Sequence, residues 1–115
     1  MRPVYASNTH IPELNAQTGA FVSQLCFGRP DQIERYCSMA VFHGEQLVAG
    51  TLYHNWQPDS GVIELTSAST DRRWLTKPVV RAMFHMAFGM IGAQLVALRV
   101  SERNAGMVAI AQRFG

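Results

Sequence analysis

Apolar positions along this chain follow two distinct spacings. Ile11, Leu14, Thr18, Phe21 and Leu25 recur three or four residues apart, the period of one helix face, and Thr9 with Pro12-Glu13 marks the start of that helix. Gly28-Arg29-Pro30-Asp31 breaks it, and residues 32–38 fit either a short helical turn or an irregular loop. Residues 39–43 and 46–55 then read as two strands joined at Gly44-Glu45, a hairpin signal. Trp56-Gln57-Pro58-Asp59-Ser60-Gly61 carries several turn formers, and residues 62–67 supply a third strand. Thr76 suits a helix N-cap, and Pro78 suits a first turn, where its missing N–H has no helical partner. That helix is predicted to run to Ile91, with Gly92 as a left-handed cap. Residues 95–100 form a strand, and Asn104 opens a last helix.

The predicted order is therefore helix, hairpin, strand, helix, strand, helix. It implies an α/β or α+β architecture, a mixed sheet flanked by helices, with a right-handed crossover spanning residues 62–100. The helix after Thr76 is apolar nearly all round. Val80, Met83, Phe84, Ala87 and Ile91 mark one face, and Val79, Met86 and Met90 another. Burial on both sides means a deep core or a homodimer interface.

A chain of 115 residues makes one domain, large enough to bury roughly 65% of its unfolded surface. Its 48% apolar and 16% charged content is that of a globular protein. The net charge of +2 rests on arginine, since Lys77 is the single lysine, and arginine's planar fork suits phosphate and carboxylate. So small a charge argues against a nucleic-acid module built on Arg72, Arg73, Arg99 and Arg103. Cys26 and Cys37 lack metal-ligand spacing, and no apolar run follows Met1-Arg2-Pro3, so reduced thiols in a cytoplasmic protein are expected. The apolar stretch 82–98 is interrupted by His85, Gly89 and Gly92 and reads as helix plus strand, not a membrane span. His10, His43, His54 and His85 share no ligand spacing, so no metal is expected; His43 and His54 stand at strand ends. No elbow motif surrounds Ser67 or Ser69.

Two features carry candidate chemistry. The strand ending at Ser67 feeds through Asp71-Arg72-Arg73-Trp74-Leu75-Thr76 into a helix. A helix N-terminus offers unpaired amides and a favourable dipole to an anion, and two arginines sit beside it. Glu64 is the one acidic residue in its strand, between Ile63 and Leu65. It either points to solvent or, partly buried, gains proton affinity and becomes a better base near neutral pH.

These features resemble the GNAT superfamily of acyl-CoA N-acyltransferases. The family's turn of Arg or Gln, two residues, Gly, one residue, and Gly or Ala is matched by Arg72 or Arg73, with Trp74 to Lys77 in place of the glycines. Such a glycine-free Trp-Leu-Thr turn is similar to the branch near the ribosomal-protein N-acetyltransferases and their phage and prophage relatives. The family's later motif of Asn, two residues, Ala, two residues, Leu, Tyr falls without a gap on Asn104, Met107, Ile110 and Ala111, with Phe114-Gly115 closing it.

The resemblance implies an N-acetyltransferase that uses acetyl-CoA and needs no metal, acting on a primary amine by direct attack on the thioester. Glu64 would be the base, with Asn104 a further catalytic and cofactor-binding residue. Backbone amides near Ala68 and Ser69 would hold the pantetheine and polarise the carbonyl. Arg72, Arg73, Trp74, Leu75 and Thr76 would form the pyrophosphate turn. Ala111 stands where the family often has a tyrosine that protonates the departing thiolate. A thiol with a pKa near about 8.5 leaves tolerably alone, so the loss costs about 10²-fold. The chain also ends before the family's two C-terminal strands. The resemblance therefore implies that strand 95–100 presents an open apolar edge, completed by a second subunit, or else that the chain is a truncated form of the fold. The same departures imply an alternative, a catalytically weak or inactive GNAT-like assembly protein.

Overall fold

The computed structural model describes residues 1–102 and 105–112, and describes side chains as far as residue 98. Six strands form one sheet in the order of the chain: β1 (Arg2–Ala6), β2 (Tyr36–His43), β3 (Gln46–Gln57), β4 (Val62–Ser69), β5 (Leu95–Glu102) and β6 (Ala105–Gln112). All neighbouring strands are antiparallel except β4 and β5, which run parallel from Val62 opposite Leu95 to Ala68 opposite Ser101. That parallel pair needs a crossover. It is supplied by α2 (Lys77–Phe84) and a π-helical segment, His85–Ile91, that continues it. The expected mixed sheet with flanking helices is present.

The helix α1 (Pro12–Phe27) connects β1 to β2 and ends at Gly28 in the left-handed conformation. Its start differs from expectation. Ser7 Oγ accepts the amides of Thr9 and His10, and the N-cap position falls on Ile11, itself at φ 51°.

Side-chain alternation along β3 assigns the two faces of the sheet. A Cβ on Gly50 would meet Thr18 Cγ2 at 2.6 Å and Val22 Cγ2 at 2.9 Å, so α1 rests directly on the face of Gly50, Leu52 and His54. Ala49 and Tyr53 point the other way, into a core with Met39, Val41, Ile63, Leu65, Val79 and Met83 beneath α2.

The change from α to π winding lies under two tyrosines. Wider i→i+5 turns take carbonyls at the junction out of the α-helical pattern. His85 N–H is shared between the carbonyls of Ala82 and Arg81. Tyr5 donates its hydroxyl to Ala82 O at 2.5 Å, and Tyr53 donates to Met83 O at 2.7 Å. Met83 and Ala87 from one predicted face and Val79 and Met86 from the other enter the same core, whereas Met90 is exposed.

Two further expectations are overturned. The last helix is absent: residues 105–112 form β6, paired with β5 from Ala105 opposite Glu102 to Gln112 opposite Leu95. Open strand edges attract pairing, and β6 pairs along that edge. β5 is thereby flanked on both sides, which removes the reason to expect a second subunit there. The sequence reading also omits β1, whose Pro3 is tolerated because the strand lies at the sheet's edge.

Candidate functional site

The first candidate is the corner between β4 and α2. Thr70 N–H bonds to Val48 O at 2.9 Å, and Ser69 Oγ accepts Asp71 N–H at 2.9 Å, which turns the chain sharply after the strand. Asp71 then organises the turn. Its Oδ1 accepts Arg73 N–H at 2.9 Å and Arg73 Nε at 3.2 Å, while its Oδ2 accepts Arg73 Nη2 at 3.1 Å. These bonds hold the Asp71 carboxyl below the usual carboxylate range and raise the Arg73 guanidinium. The fork of Arg73 is therefore already occupied by an internal anion.

The rest of the turn is mixed in character. Trp74 N–H reaches Asp71 O at 3.3 Å, and Thr76 N–H bonds Trp74 O at 2.9 Å. The side chain of Trp74 is buried in the core beneath α2, and Leu75 is exposed. Thr76 occupies the N-cap position as expected but makes no side-chain cap bond, and its buried Oγ1 has no hydrogen-bond partner. Pro78 contributes no amide. Arg72 and Lys77 are exposed beside the helix start. Ala68 is paired with Gly50 on one side and Ser101 on the other, and Ser69 with Ala49. Among the backbone groups expected to hold pantetheine, those of Ala68 thus lie between two paired strands. Asn104 lies outside the described residues, and Ala111 stands on β6 opposite Val96.

A second cluster surrounds Glu64. From Ala49 opposite Ser69 to His54 opposite Glu64 the antiparallel register of β3 and β4 is unbroken. A bulge in β3 comes after His54, with Asn55 at φ 53°, and shifts only the pairing of Gln57 with Val62. Imidazole and carboxylate consequently share the α1 face of the sheet. His54 Nδ1 lies 3.6 Å from Glu64 Oε2, within ion-pair range when the imidazole is protonated. His54 Nε2 lies 2.8 Å from Thr66 Oγ1. The Glu64 side chain is 43% exposed and that of His54 15%, while Thr66 is buried at 2%. Solvent reaches this row from the carboxylate end. Thr66, at the closed end, is too buried to act as a nucleophile.

Sequence reading selects Glu64 but not its partner. Plain alternation joins them, carrying His54 on from Gly50 and Leu52 along β3 with Glu64 opposite it. Glu64 and the corner at Arg72 stand on the same strand–helix unit, at opposite ends of β4.

Among the described residues no group of three or more His, Cys, Asp or Glu side chains is arranged to hold a metal ion. Cys26 and Cys37 are not joined in a disulfide; Cys26 Sγ donates to Ser67 O at 3.7 Å, and burial pushes the Cys37 thiol up. Among the described residues no helix is long and apolar enough to cross a membrane. No protein-family model matches the chain, and no curated protein matches it.

Proposed function

We propose that this chain is an acetyl-CoA-dependent N-acetyltransferase acting on a primary amine. The observation that carries the reading is Glu64: a half-exposed carboxylate on β4, beside an imidazole, on the strand that leads through the crossover helix to a parallel neighbour. Acetyl-CoA would supply the thioester. A neutral amine would attack its carbonyl carbon, the C–N bond forming as the C–S bond breaks, with the amine proton passing to Glu64. Arg72, Lys77 and the first-turn amides of α2 would hold the diphosphate, with the unpartnered hydroxyl of Thr76 at the same helix start. Arg73 would join them only after releasing Asp71. Alignment of amine and thioester would supply much of the rate.

A second reading is favoured by specific observations: an assembly protein of similar layout without turnover. β4 and β5 stay paired through Ala68, Arg73 is engaged internally, and a strand occupies the place of the last helix.

Isothermal titration with acetyl-CoA separates the two. The acetyltransferase reading expects saturable binding that an Arg72→Ala, Arg73→Ala double variant loses. It also expects thiol release in the presence of a peptide bearing a free N-terminus and one lysine. Absence of binding at high protein concentration discards it in favour of the second.

A further inference from the structure

The geometry points to His54 as the proton store behind Glu64, hydrogen-bonded to Thr66 and within ion-pair range of the carboxylate. In the catalytic setting this rests on the acetyltransferase reading, but the proton store itself stands on the arrangement of the three side chains. Glu64 is the member that meets solvent. It takes a proton from an ammonium or amine at the sheet surface and passes it to His54 Nδ1, 3.6 Å away. The imidazolium so formed lies between a carboxylate and the Thr66 hydroxyl, whose oxygen accepts the Nε2 proton at 2.8 Å. No bond other than those to the moving proton changes. Glu64 is returned to its ionised form, ready for the next amine, and the proton leaves by the reverse path.

A carboxylate alone is a weak base for an amine near neutral pH, because its conjugate acid is far stronger than an ammonium ion. An imidazole titrates closest to neutrality of all unperturbed side chains, so placing one behind the carboxylate extends the pH range in which the pair holds a proton. The unbroken register of β3 and β4 sets His54 opposite Glu64, on the face of Gly50 and Leu52, before the bulge begins. Several titratable groups lie around His54 among the described residues. Tyr36 is its register partner on β2, and burial pushes that phenol up. Glu13 in the first turn is the one charged residue of α1, which packs over this face; Cys26 lies near its other end. Arg99 occupies the β5 position opposite Thr66, and Ala97 the one opposite Glu64.

His54→Asn provides the test, because the Asn amide occupies the place of Nδ1–H and can orient Glu64 but holds no extra proton. Imidazole NMR of the wild-type chain should show His54 titrating with its midpoint lowered by Glu64→Gln and its Nε2 signal altered by Thr66→Val. An unchanged midpoint in Glu64→Gln overturns the inference, whether or not acetyl-CoA binds. In the thiol-release assay with the same peptide, His54→Asn should fold with the wild-type melting temperature and bind acetyl-CoA equally. Its rate near neutral pH should fall about 10²-fold, and the acidic limb produced by imidazole protonation should vanish. A variant that keeps wild-type rate and pH profile also overturns it. If neither variant nor wild type binds acetyl-CoA, the acetyltransferase reading fails and the titration alone decides the inference.

Discussion

Replacing Tyr53 by Phe isolates a single hydrogen bond in the core. Tyr53 is 2% exposed, and its ring packs among Met39, Leu65 and Met83 while its hydroxyl donates to Met83 O at 2.7 Å. Phenylalanine keeps the ring, so no large cavity opens and the lost term is the bond itself. A buried acceptor left short of a donor costs about 1–3 kcal/mol. For a chain of this length that is a fall in melting temperature of about 4–12 °C. Tyr5→Phe is the internal comparison. Its hydroxyl meets Ala82 O, which also accepts from His85 N–H, so its loss should cost less, about 0.5–1.5 kcal/mol.

Alkali adds a second readout. Burial pushes the Tyr53 phenol well above its usual value of 10.0, with smaller contributions from Tyr5 and Cys37. The folded pKa lies above the unfolded one, so the unfolded chain releases this proton first. The stability contributed is whole below about pH 10 and declines as pH rises beyond it. Tyr53→Phe should therefore flatten the alkaline fall in stability while lowering the neutral plateau. Thermal unfolding followed by circular dichroism across pH 7 to about 11 measures both. A Tyr53→Phe chain melting within about a degree of wild type at neutral pH would refute the bond as a support of the α-to-π junction.

Other substitutions test other parts of the structure. Ile11 is exposed and holds φ 51°, a conformation costing an L-residue with a Cβ about 1–2 kcal/mol, so Ile11→Gly should raise the melting temperature by a few degrees. No gain on differential scanning calorimetry would show that Ile11 packs usefully where it stands. Asp71→Asn should free the Arg73 fork and strengthen acetyl-CoA binding by isothermal titration; weaker binding would mean that the Asp71 bonds shape the turn the ligand needs. Because Arg73 depresses the Asp71 pKa, the small stability of that pair is present above the unfolded carboxylate value and lost as pH falls, a dependence Asp71→Asn should remove.

Much of the N-terminal two-thirds is legible in sequence because its signals are local. Gly28 takes the left-handed conformation at the end of α1, and Gly44 does so in the turn that joins β2 to β3. Residues whose structure depends on distant partners are not legible in this way. β1 has five residues, one of them proline, and becomes a strand because β2 offers it an edge. Met107 and Ile110 satisfy a helical spacing as well as a strand, and pairing with β5 decides for the strand. Glu64 stands out as an acid among apolar neighbours. His54 does not, because its place opposite Glu64 depends on the register between β3 and β4, which neither strand specifies alone.

The order of strands in the sheet is their order along the chain, and this has a consequence for how the molecule assembles. Three of its five junctions, β2 to β3, β3 to β4 and β5 to β6, close across short connections and need little search. Two require long loops to be drawn in: β1 to β2 around α1, and β4 to β5 around α2 and its π extension. Closing a long loop costs entropy before any contact compensates it. The central three-stranded meander is thus the natural nucleus, and the two helical closures, one on each face, set the pace at which the sheet reaches its full width.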